Sequence, residues 1–99
     1  MRRGNCYVAS EALYHLLGGK AAGWTPMQMQ VPADPPQEGI YDSHWFLRHS
    51  SGQIVDPTAS QFLNTTLDYS AARGRGFLTL LPSKKAALLM QVILWRDQL

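Results

Sequence analysis

An α+β fold is predicted by three patterns read in chain order. A helical stripe of apolar residues lies near the N-terminus, apolar and polar residues alternate in the middle, and a second helical stripe lies near the C-terminus. The 99 residues suffice for one domain, spanning 1–99. A chain of this size buries roughly 60% of its unfolded surface, enough for a single modest core.

The first helix is predicted to open near Cys6. Asn5 suits an N-cap, and Val8, Ala12, Leu13, Leu16 and Leu17 supply the apolar stripe until Gly18-Gly19 ends it. A strand follows from Met27 to Val31, where methionine alternates with glutamine, and Pro32 is expected to stop it. After the loop "ADPPQEGIYD" come two short strands, Ser43–Arg48 and Gln53–Asp56, joined by "HSSG". A turn centred near Ser50 sets His44 opposite Asp56 and Phe46 opposite Ile54 on one face, with Trp45, Leu47 and Val55 on the other. A one-residue slip would separate His44 from Asp56. Residues 58–64 read as a helical turn, "ARGRG" as a flexible loop and "FLTLL" as a further strand. Ser83 caps a closing helix whose apolar surface comes from Ala87, Leu88, Met90, Val92, Ile93 and Trp95.

Composition narrows the function classes. The net charge of +2 is spread thinly, with small clusters at Arg2-Arg3 and at Arg73 with Arg75, and this argues against a nucleic-acid footprint. No segment reaches the ~20 apolar residues of a membrane span, and the N-terminus lacks the apolar centre of a signal peptide. The expectation is a cytoplasmic protein with no membrane partner. A single cysteine, Cys6, excludes an internal disulfide and argues against a cysteine-built zinc site, so neither metal nor cofactor is expected.

Three residue types nevertheless form a chemical pattern. A thiol is nucleophilic as thiolate, a form favoured by the unpaired N–H groups of a helix's first turn and by a neighbouring imidazolium. Cys6 has the first feature by position, and His44 is the candidate for the second. Asp56, across the predicted hairpin, would hold the other ring nitrogen of His44 and fix its tautomer. The two strands would then be a rigid mount for a base and the residue that orients it.

The pieces "GNCYVASEALYHLL", "HWFL", "SSGQIV" and "DPT" together resemble the transglutaminase-like branch of the papain-like cysteine hydrolases. In that family a cysteine opens a helix, a strand carries a histidine near a tryptophan, and the next strand ends in Asp-Pro-Thr. The resemblance covers residues 4–58. It implies a minimal papain-like core, with an N-terminal helix packed on a small antiparallel sheet and a closing C-terminal helix. It also implies Cys6 as nucleophile, His44 as general base and acid, and Asp56 as its orienting residue. The tail "GRGFLTLLPSKKA" and the stretch "DPTASQF" look like small bacteriophage-type proteins, which would place the chain in a host cytoplasm. Two departures stand out. Papain-like proteases carry an oxyanion-hole glutamine shortly before the cysteine, and none of residues 1–5 is glutamine. The second oxyanion donor would therefore come from Asn5, Gln28 or Gln53. Trp45 also follows His44 directly, so it faces the other side of the strand, where it is a candidate substrate contact.

Each residue has a plainer reading. Cys6 could be a small buried hydrophobe, His44 a satisfied strand histidine, and Asp56 a turn former before proline. His15 and His49 read as surface residues, and a Cys6/His44/His49 metal site is disfavoured because His49 should point away from the sheet face that carries His44. The expected activity is thiol-dependent acyl transfer, hydrolysing an amide, isopeptide or ester in a protein, a peptide-like substrate or a small molecule, as peptidase, deamidase or amidase. The alternative is an inactive papain-like module that binds another protein. The C-terminal helix offers a surface for a homodimer.

Overall fold

The computed structural model describes residues 5–59, 67–77 and 81–97. Helix α1 (Asn5–Leu16) leads through a short 3-10 turn to strand β1 (Trp24–Gln37) and its antiparallel partner β2 (Ile40–His49). Strand β3 (Ile54–Val55), a further 3-10 turn at Tyr69–Ala71, strand β4 (Arg73–Gly74) and helix α2 (Lys84–Asp97) follow. Among the described residues the strands form one antiparallel sheet in the order β3-β2-β1-β4. The α+β class is therefore observed.

Gly18, at φ 99°, ends α1 in the left-handed region that favours glycine. The buried face of α1 differs from the predicted stripe. Cys6, Ser10, Glu11 and Ala12 are buried, whereas Leu17 is 40% exposed. The cause lies in what the buried positions of α1 meet: Ser10 reaches a strand backbone and Glu11 a helix end, while Tyr7 and Tyr14 pack on Trp45 and Phe77.

β1 runs through Pro32 instead of stopping there. Arg75 N–H donates to the Pro26 carbonyl at 2.9 Å, so residue 26, and by alternation residue 32, turns its backbone polar groups toward the β4 side. The missing N–H of both prolines then costs no bond to β2, an arrangement confined to positions of this kind. The register breaks only between Pro32 and Gln37, across "ADPP".

β2 pairs with β3 through Leu47↔Val55 and Arg48↔Ile54, two residues away from the expected register. Because side chains repeat every second residue, the shift preserves the faces: His44 and Asp56 stay on one side as diagonal neighbours rather than direct opposites. The "ARGRG" segment is partly strand, since Arg73 and Gly74 pair with Gln28 and Met27. Phe77 and Leu81 lie outside any strand, and residues 78–80 of the predicted "FLTLL" strand lie outside the described residues, as do residues 60–64 of the predicted turn.

Met27, Met29, Val31 and Phe46 make the core of one sheet face, covered by Leu67, Tyr69 and Ala72. The closing helix does not take that position, because α2 packs on α1. Ser83 does cap it, accepting from the Ala86 N–H at 3.2 Å. The Glu11 carboxylate, fully buried in α1, accepts from the Ser83 hydroxyl at 2.7 Å and the Ser83 N–H at 3.2 Å. α2 begins with two lysines, the wrong sign for a helix N-terminus, and Glu11 supplies the missing negative charge from outside the helix.

Candidate active site

The site begins with an incomplete sheet edge. β3 ends at Val55, and the next residues are Asp56 and Pro57, so among the described residues the β2 backbone before Leu47 has no strand beside it on that side. Residues two apart in a strand present their polar groups the same way, so Trp45 and Ser43 face this gap as Leu47 faces β3. Helix α1 fills it. Ser10 Oγ donates to the Trp45 carbonyl at 3.0 Å, the Trp45 N–H donates to Cys6 Sγ at 3.4 Å, and Cys6 Sγ donates to the Ser43 carbonyl at 3.5 Å. Cys6 and Ser10 are one helical turn apart and so share the face that docks. The thiol is thereby fixed to the two residues that flank His44, and is 1% exposed.

His44 is fully buried, and its Nε2 lies 2.6 Å from Asp56 Oδ2. Burial lowers the affinity of the imidazole for its proton. The hydrogen bond to Asp56, the Cys6 side chain and the charges of both raise it, and they prevail, bringing the pKa up to about 9. The ring is therefore held as imidazolium at neutral pH. Phe46, stacked at 6.1 Å, closes off its side along the core.

Asp56 is held by more than the histidine. Its Oδ1 accepts from the Thr58 N–H at 3.2 Å, the Asx turn expected of Asp-Pro-Thr, and its Oδ2 also accepts from Tyr69 Oη at 2.9 Å. Burial, the bond to Asp56 and the carboxylate charge push the Tyr69 phenol up to about 12, keeping it a donor. Tyr69 went unread in the sequence, where nothing local distinguishes it; Thr58 was readable from the turn motif.

The remaining candidates separate. Gln28 sits opposite Trp45 in the sheet and donates to Ser43 Oγ at 2.9 Å, close to the thiol's own backbone partner. Gln53 is exposed in the hairpin turn, where its carbonyl accepts from the His49 N–H, and it is not brought to the site. Asn5 opens α1, and its side chain lies outside the described residues. The Trp45 ring lies on the face opposite His44, packed edge-on against Tyr7 at 4.9 Å and stacked on Phe77 at 5.6 Å. His49 is half-buried, with Nδ1 2.9 Å from Ser51 Oγ and Nε2 2.9 Å from the Ala22 carbonyl, which removes it from any shared site with Cys6 and His44. His15 is likewise half-buried. Two open cavities of about 480 and 520 Å³ are lined by neither Cys6, His44 nor Asp56.

Comparison of the chain with protein-family models, with curated proteins and with solved structures gives no match in any of the three. No helix among the described residues is long and apolar enough to cross a membrane.

Proposed function

We propose that this chain is a thiol-dependent acyl-transfer enzyme on a minimal papain-like, transglutaminase-like core, hydrolysing an amide, isopeptide or ester bond as a peptidase, deamidase or amidase. The observation that carries this reading is the buried 2.6 Å bond between His44 and Asp56, with Cys6 fastened to the backbone on both sides of that histidine.

With Nε2 engaged by Asp56, Nδ1 is the nitrogen left to exchange a proton with the sulfur. Cys6, as thiolate, attacks the carbonyl carbon, and the π electrons move to oxygen. Collapse of this adduct expels the amine or alcohol, which takes the proton from imidazolium. Water then attacks the thioester, neutral His44 accepts its proton, and the acid leaves as the thiolate is regenerated. The Cys6 backbone N–H in the first turn of α1 is one donor to the oxyanion, and Gln28 or Asn5 is the second. The substrate is a protein, a peptide-like molecule or a small amide or ester, and no cofactor takes part.

One observation favours a second reading, an inactive module that binds another protein: the sulfur is 1% exposed and both of its hydrogen-bonding roles are occupied by backbone. Iodoacetamide labelling at pH 6 separates the two. The enzyme reading expects labelling faster than a free thiol, slowed at least tenfold by His44→Ala. Labelling no faster than a free thiol, and indifferent to His44, selects the binding module. Intact-mass adducts with electrophilic amide or ester probes, present in the parent and lost in Cys6→Ala, would identify the reaction class.

A further inference from the structure

We infer that the more apolar of the two cavities, beside the C-terminal end of α1, is a binding site for a small planar anion, such as an aromatic carboxylate. The inference is independent of the thiol chemistry, since none of Cys6, His44 and Asp56 lines this space.

The cavity holds about 480 Å³, within the usual range of small-molecule sites. Tyr14, Trp24 and Phe77 give it three aromatic walls, suited to a flat group. These walls are braced. Phe77 contacts Tyr14 at 5.3 Å, Tyr7 at 5.4 Å and Trp45 at 5.6 Å, while Trp24 rests on His49 at 4.9 Å. His49 is itself held through both ring nitrogens. A ligand would meet surfaces already in place, at little ordering cost.

The polar groups around this aromatic space carry one sign. Among the described residues Lys20 and Arg75 line it, no carboxylate does, and neither cation forms an ion pair. His15 also lines it, and its Nε2 is buried with no hydrogen-bond partner among the described residues. A buried polar atom without a partner is costly, and a ligand oxygen that reached it would remove that cost. Apolar walls select a ring, and the cations and the histidine select a carboxylate or similar anion attached to it. Arg75 is placed for this role by β4, since its N–H is fixed to the Pro26 carbonyl.

The test is a titration with 2-naphthoate followed by amide and indole N–H chemical shifts, with neutral 2-naphthamide as control. The expected result is saturable shifts at the Trp24 indole, Gly74 and Gly76, with binding at least tenfold weaker for 2-naphthamide and at least fivefold weaker in both Arg75→Gln and Lys20→Gln. Both substitutions lie at exposed positions, so an unchanged spectrum elsewhere certifies the fold. Cys6→Ala is expected to bind as the parent does. Absence of shifts at those residues, or equal binding of acid and amide in parent and variants, would overturn the inference.

Discussion

At His44, burial and the side chains of Asp56 and Cys6 pull the proton affinity in opposite directions, and the side chains win. The consequence for stability has a definite sign. A pKa raised from 6.5 to about 9 means the folded state binds the proton more tightly than the unfolded one, so this contribution is complete below pH 6.5 and lost as pH rises through about 9. Its upper bound is about 3 kcal/mol, reduced by whatever screening the solvent near Asp56 provides. The urea midpoint of the parent is expected to fall between pH 6.5 and 9.5, and Asp56→Asn to flatten that slope. Under the proposed function, kcat/KM is lost over the same interval, because a neutral ring has no proton for the leaving group. Tyr69→Phe removes a donor to a charged acceptor and is expected to destabilise by about 1.5–3 kcal/mol in urea unfolding. Cys6, His44 and Asp56 were legible because each carries a local signature: a helix start, a strand beside a tryptophan, an Asp-Pro-Thr turn. Tyr69 was not legible, because its partner lies 13 residues away, beyond the reach of a local motif.

Among the elements, α1 is the one whose environment the sequence conceals. A serine and a glutamate in mid-helix suggest a solvent face, yet Ser10 and Glu11 are buried because their partners are a bare strand edge 35 residues away and a helix end 72 residues away. Contacts of that separation leave no periodicity to read. The helix starts, the Ser83 cap and the alternation around His44 were local and could be read. The hairpin register missed by two because the turn length, not the face pattern, distinguishes registers of equal parity. Glu11→Ala is expected to cost about 2 kcal/mol or more, and Ser83→Ala about 1 kcal/mol. Since both act on one helix end, the double substitution should fall short of their sum, as measured by a urea double-mutant cycle.

For the whole molecule, helix on helix on sheet edge leaves α2 with little to cover it. Leu88, Val92 and Trp95 are 63%, 50% and 61% exposed at the spacing of a single helical face. We propose that a second copy of the chain meets this face, as contiguous exposed apolar surface commonly marks an interface. Sedimentation at rising concentration is expected to show dimer, and Leu88→Glu with Trp95→Glu to hold the chain monomeric. A monomer at all concentrations would refute it. The thiol, finally, is a latch between helix and sheet, and under the proposed function it is the nucleophile as well. Acylating or alkylating it removes the hydrogen it gives to Ser43, so each covalent event must unfasten the start of α1. Modification should then show saturation kinetics: at high reagent the rate levels off at the frequency with which the latch springs open.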